Sequence, residues 1–302
     1  MAVITTGAHP KALWPGIKEW WGRSYAEHPE EYVDLFDKET SDKAYEEEVE
    51  ITGFGLAPVK NAGTAINYDT ESQGSVTRYT HVAYALGYIV TFEELRDDLY
   101  EVVSKRRAKQ LALSMRQTKE NVAANVYNRA FTAGYVGGDG QVMICSTHPT
   151  LSGNQSNLLA TAADISETAI EDLTVQVMQA VNNRGLKINL MPQSIHVSPS
   201  QWYETNRVLK SVLQNDTANN AINVLKATNV FPKGIKMNHY FSSATAWFIR
   251  TNCPTGLQNF ERDPIMFDQD NDFDTKNAKA ACYERYSFGW SDFRGIYGTP
   301  GV

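Results

Sequence analysis

Residues 91–133, TFEELRDDLYEVVSKRRAKQLALSMRQTKENVAANVYNRAFTA, contain neither glycine nor proline. The span predicts one long helix. Thr91 and Glu94 have the spacing of a capping box, and Glu93, Glu94, Asp97 and Asp98 place negative charge at the partially positive helix N-terminus. Phe92, Leu95, Leu99, Val102, Ala108, Leu111, Met115, Val122, Val126 and Ala130 recur in steps of three and four, an apolar stripe on one face. Gly134 is the expected terminator.

Such a helix spans roughly 60 Å, whereas a compact chain of this length has a diameter of about 50 Å. Either it breaks between Ser114 and Lys119, where polar residues interrupt the stripe, or the molecule is flat and elongated with the helix as its spine. A plate-shaped subunit suits a shell.

The 302 residues include 28 Lys and Arg against 35 Asp and Glu, a net charge of −7, and 42% are hydrophobic. That is enough apolar material for a core, in two domains or one divided domain. No run approaches eighteen apolar residues, and MAVITTGAHPKALW lacks a basic segment followed by an apolar one, so neither a membrane span nor a secretion signal is expected. Cys145, Cys253 and Cys282 are odd in number and far apart. They read as free thiols, not as a disulfide framework or a zinc site.

Residues 1–45 mix Trp14, Trp20, Trp21, Tyr25, Tyr32 and Phe36 with charges and prolines. They read as an arm, with an amphipathic helix over about 15–36. Its aromatics, each worth roughly 1.5–3 kcal/mol when buried, dock on a neighbour in the favoured reading and on their own subunit in the alternative. From 46 to 90 the pattern changes to period two, the mark of strands. Residues 54–79 carry few large aliphatics, so a ribbon there has little core of its own. It needs something to lie on.

After the helix comes a loop rich in glycine, serine and asparagine, with room for one short hairpin. Asp164 or Ser166 then caps a helix over about 167–183 with Ile170, Leu173, Val177 and Val181 on one face, closed by Gly185. A strand (LKINLMPQSIHVSP), a helix entered at Pro199, a short helix (NNAINVLKAT) and two strands (GIKMNHYF, ATAWFIRT) follow. Residues 164–254 thus read as an inserted α/β unit. The strands of 255–302 are expected to pair with those preceding the long helix. The fold class is α+β.

No catalytic, cofactor or metal site emerges. The six histidines show no HExxH or other pairing. Asp268, Asp270, Asp272 and Asp274 resemble the start of a calcium loop, but Phe273 and Lys279 occupy positions that need glycine and glutamate. Gly137, Gly138 and Gly140 lack the lysine and helix of a phosphate cradle. Lys105, Arg106, Arg107 and Lys109 form the one basic cluster. Pairing with carboxylates of this subunit or the next is preferred there to nucleic-acid contact, because the chain is acidic overall.

The order of elements, together with VTFEELRDDLYEVV, DGQVMICSTHPTLSGNQSNLLATAADISETAIEDL and ERYSFGWSDFRGIYGTPG, resembles the major capsid proteins of tailed bacteriophages, the Hong Kong type of fold. The middle stretch is similar to head subunits of Mu-like phages. The resemblance implies an N-terminal arm (1–45), a peripheral domain (46–163 and 255–302) with an extended E-loop (54–79) and spine helix (91–133), and an axial domain (164–254). It implies self-assembly as hexamers and pentamers into an icosahedral head, in the host bacterial cytoplasm, around double-stranded DNA contacted non-specifically at most. Portal and scaffolding proteins are the implied partners. Some members carry a long N-terminal scaffolding segment for which this chain has no room, which implies separate scaffolding or a mature chain.

The expected subunit-interface residues are Trp14, Trp20, Trp21, Tyr25, Ile66, Tyr68, Arg78, Tyr79, Lys105, Arg106 and Arg107. The alternatives are an encapsulin-like nanocompartment shell and an α/β enzyme using the inserted unit.

Overall fold

In the computed structural model, which describes residues 14–97, 100–213 and 221–302, Thr91 starts a helix as its spacing predicts. Its hydroxyl accepts the Glu94 N–H at 3.4 Å. That helix, α3 (Phe92–Arg96), is short, and the long one is α4 (Tyr100–Asn128). The interruption therefore comes at Asp97, not between Ser114 and Lys119. One contact shows that the chain bends there: Arg107 donates to both carboxylate oxygens of Glu94, at 3.0 and 2.8 Å. In a continuous helix the two residues would stand about 20 Å apart along the axis, beyond the reach of their side chains.

The 29 residues of α4 span roughly 43 Å. It ends earlier than Gly134 predicts, because Asn128 turns its side chain to another segment, donating to the Tyr240 carbonyl and accepting from the Ser242 N–H. Single turns then carry the chain to Gly134, whose φ is +97°. The buried stripe also departs from the expected one. Past Met115 it runs through Arg116, Lys119, Glu120, Ala123, Ala124 and Tyr127, while Val122 and Val126 are half-buried.

Ahead of α3 lie α1 (Trp14–Glu27), α2 (Tyr32–Leu35) and strands β1 (Asp37–Thr40), β2 (Tyr45–Ile51), β3 (Gln73–Thr80) and β4 (Val82–Val90). β2 and β3 form an antiparallel ribbon. Far along the chain come β10 (Leu257–Asn271) and β11 (Ala278–Trp290), which build with β1 and β4 a sheet of order β1-β10-β11-β4. Period-two alternation puts Ala278, Ala280, Cys282, Glu284 and Tyr286 of β11 on one buried face. Against that sheet Ala280, Cys282 and Phe267 share a core with Trp21 of α1 and with Ala108, Leu111, Ala112 and Met115 of α4.

Between α4 and β10 the chain forms the hairpin β5 (His148–Thr150) and β6 (Gly153–Gln155), then α5 (Glu167–Met178), whose N-cap Ser166 accepts the Ala169 N–H. Next come β7 (Pro192–Val197), a 3-10 turn at Pro199, α6 (Trp202–Lys210), α7 (Val224–Ala227), β8 (Ile235–Met237) and β9 (Trp247–Thr251). The last strand, β12 (Ile296–Thr299), does not join the first sheet. It completes this second one, of order β12-β9-β7-β8. The tail expected to return wholly to the strands before the long helix is thus divided: β11 pairs with β4, but β12 pairs with β9.

Both faces of β9 are buried. Trp247 and Ile249 pack with Ile170, Leu173 and Val177 of α5, whereas Phe248 meets Tyr127 at the end of α4, ring centroids 5.2 Å apart. The second sheet is therefore the joint between the inserted unit and the spine.

Candidate functional site

The most prominent feature among the described residues is a surface left uncovered by its own chain, and that surface is the candidate site. The ribbon dominates that surface. Backbone bonds register Val49 with Val76 and Ile51 with Gln73, and the Thr52 N–H donates to the Ser72 carbonyl. Beyond them the chain continues to Glu71 as an irregular tip on which Leu56, Val59, Ile66 and Tyr68 are between 63% and 91% exposed. With Phe54, 59% exposed, they make five large apolar side chains on one uncovered loop, more than the isolated exposures usual in a monomer.

The tip is nonetheless oriented. Asp69 accepts the Gly55 N–H at 2.7 Å and pairs with Arg184 at 2.7 Å, and Arg184 also donates to the Thr70 carbonyl. The backbone bonds from Gly55 and Thr70, then Arg184, hold the Asp69 carboxyl below its ordinary range. At the base, Glu50 accepts from Asn183 at 2.6 Å, and Asn183 in turn accepts from the buried Arg294. Sequence reasoning missed these anchors because their partners lie more than a hundred residues away.

The aromatic arm is a correction. Trp21 is buried, stacked between Tyr25 and Phe267 at 5.4 and 5.2 Å, and Arg116 lies 3.9 Å over the Tyr25 ring. Tyr79 is buried as well, its hydroxyl 2.5 Å from that of Ser291. These residues bury their area within the chain and have little left to give a neighbour. Trp21→Ala should therefore destabilise the isolated subunit by about 3–5 kcal/mol, the usual range for emptying a core aromatic site. Unaltered thermal melting with lost assembly would restore the interface reading.

Of the other expected contact residues, Arg107 serves the α3–α4 bend, and Arg78 pairs with Glu47 across the ribbon and lies 4.2 Å over the Tyr45 ring. Arg106 is exposed. Trp14, Trp20 and Lys105 lie outside the described residues as far as their side chains are concerned. Ile66 and Tyr68 face solvent.

The residues with chemical potential have structural partners. Buried His148 faces Asp139 at 2.6 Å and Asn157 at 3.1 Å and stacks on Phe293. Burial drives His196 down to about 3, so it is neutral. A cleft of about 620 Å³ between the ribbon and the inserted unit holds Cys253, whose thiol is pushed far up by burial and by Asp292. It is no thiolate near neutral pH. Asp272 is taken by Lys279 at 2.6 Å, and no metal-holding cluster occurs among the described residues. Gly137 and Gly138 sit at close-packed positions: a Cβ at Gly137 would overlap the Trp290 ring, and one at Gly138 the Val76 carbonyl. No described helix is long and apolar enough to cross a membrane.

Comparison with known proteins agrees with this picture of a molecule built around its surface. A family model described as phage capsid protein matches residues 74–299. No curated protein matches at the sequence level. Among solved structures, the chain is similar to the subunit of a virus-like particle from Pyrococcus furiosus, with TM-score 0.53 and 10% identity over 95% of this chain and 99% of that one. It is similar to a chain from Mycobacterium phage Adephagia, with TM-score 0.54 and 11% identity over 91% of each chain. A capsid chain of a native GTA particle gives TM-score 0.55 and 11% identity over 89% of each. At such identities the likeness is one of fold.

Proposed function

The chain belongs to the phage capsid protein family, as a structural major capsid subunit, and on that premise we propose that its copies assemble as hexamers and pentamers into a closed icosahedral head around double-stranded DNA. The observation that carries this reading is the ribbon tip, whose five large apolar side chains have no cover in their own chain. Rings of subunits need a heterologous interface, one face meeting a different face of the next copy. The ribbon supplies one such face, with Ile66 and Tyr68 as its anchors.

In the same proposal residues 1–45 are the arm, the first sheet with α4 is the peripheral domain, and the second sheet is the axial domain. β12, which pairs with β9, is counted with the axial domain in this proposal. Portal and scaffolding proteins, and assembly in the bacterial cytoplasm, are further parts of it.

Electron microscopy and sedimentation of the purified full-length chain test the proposal. Closed shells are expected, and nucleic acid inside particles from infected cells separates a head from a protein-filled compartment. A chain that stays monomeric at high concentration, with and without a scaffolding protein, overturns it.

A further inference from the structure

The arm rests on α4 over a buried cluster of charge. Glu120 accepts the backbone N–H groups of Glu31 and Tyr32, at 3.0 and 2.9 Å, one on each oxygen. Arg116 pairs with Glu30 at 2.7 Å. Lys119 reaches Glu261 at 3.1 Å and Glu284 at 3.5 Å, beneath the rings of Tyr32 and Tyr286. Lys38 of β1 closes on Glu261 at 2.6 Å, and Glu31 takes His239 at 2.5 Å.

The charges do not balance. Glu120 and Glu284 are buried and Glu261 is half-buried, against Arg116, Lys119 and Lys38, while at the mouth Glu30 shares Arg116 and Glu31 faces His239. An uncompensated carboxylate in such a place costs several kcal/mol by order of magnitude, which a proton removes. Glu120 would lose an acceptor for a backbone N–H on protonation, and Glu261 would weaken two lysine contacts. Glu284 is 0% exposed and neither of its oxygens has a hydrogen-bond partner. Its remaining titratable surroundings are Tyr25 of the arm, Tyr84 of β4, and Cys282 and Tyr286 of β11.

We propose that seating the arm on α4 takes up a proton, held at Glu284, so that the arm is fastened in acidic solution and loosens as pH rises. Burial lifts the Glu284 carboxyl above its ordinary value against the pull of Lys119, and burial lifts Glu120 to about 7. A carboxyl raised in the folded state contributes stability that is complete below its ordinary value and disappears as pH rises through the raised one. The arm should therefore loosen between roughly pH 5 and the raised value, by up to about tenfold per pH unit.

Hydrogen exchange of the Glu31 and Tyr32 amides in the full-length chain, corrected for the intrinsic effect of pH, measures this directly. Protection should fall progressively as pH rises from 4.5 to 8.5. In Glu284→Gln, which carries the neutral form permanently, the fall should be smaller than in the parent, leaving only what Glu120 contributes, and protection should exceed the parent at pH 8.5. A flat profile in the parent overturns the proposal, and so does a Glu284→Gln chain that keeps the parent slope. If that variant does not fold by circular dichroism, the parent profile alone decides.

Discussion

Replacing residues 56–68 by a short glycine turn should abolish shell formation while leaving the melting temperature of the subunit nearly unchanged. The deleted residues contribute one local turn, in which Thr64 bonds back to the Asn61 carbonyl. The anchors Gly55 with Asp69 and Thr52 with Ser72 remain, as does the β2–β3 register. Shortening a loop by this much changes closure entropy by less than about 1 kcal/mol. In a shell the balance differs. Covering Leu56, Val59, Ile66 and Tyr68 on a neighbour contributes at most roughly 6–12 kcal/mol per copy before ordering costs. Losing even about 4 kcal/mol of it weakens each contact a thousandfold. Shell yield by sedimentation, measured beside thermal melting for deletion and parent, makes the comparison. An unchanged yield would show that the ribbon is not an intersubunit strap.

The contrast between ribbon and arm shows what a sequence of this kind reveals. Local periodicity was sufficient for the elements: the Thr91 cap, the Ser166 cap and the alternation of β11 all follow from neighbouring residues. It was also sufficient for the ribbon tip, because a segment poor in aliphatics cannot cover the few it has. It failed for the arm, because Trp21 presents the same pattern whether its partner is Phe267 of its own chain or a residue of the next copy. Only the sheet topology, which brings β10 beneath α1, decides between them.

The same limit explains α4. Arg116, Lys119 and Glu120 look like a polar interruption of an apolar stripe and suggest a break. They are the continuation of the buried face, made tolerable by Glu30, Glu261, Glu284 and two backbone N–H groups drawn from three distant segments. Charged residues in a helix stripe signal either a break or a buried ionic seat, and spacing alone does not separate the two.

Asn157→Asp should be the most damaging conservative change in the chain, lowering stability by about 3–5 kcal/mol, or roughly 10 °C in Tm. The Asn157 amide is fully buried and ties three segments together. Its nitrogen donates to the carbonyls of Met143, Phe293 and Ile296 at 2.8, 3.1 and 3.0 Å, and its oxygen accepts the Cys145 N–H at 2.9 Å. This is how the loop after α4 is bound to the turn that delivers β12. An aspartate of the same shape would turn an oxygen, in place of a donor, toward those three carbonyls. Protonated, the new carboxyl could still donate to one of them, so its value in the folded chain must lie above the ordinary one. The deficit should then be smaller near pH 5 than near pH 8, because a raised carboxyl destabilises progressively as pH climbs toward its folded value. Thermal melts of variant and parent at both values test the size and the sign together. A variant within about 1 kcal/mol of the parent, inside the ordinary effect of a point change, would mean that the loop is held by its other contacts. A deficit that grows on acidification would mean that the carbonyl cluster is not what the carboxylate meets.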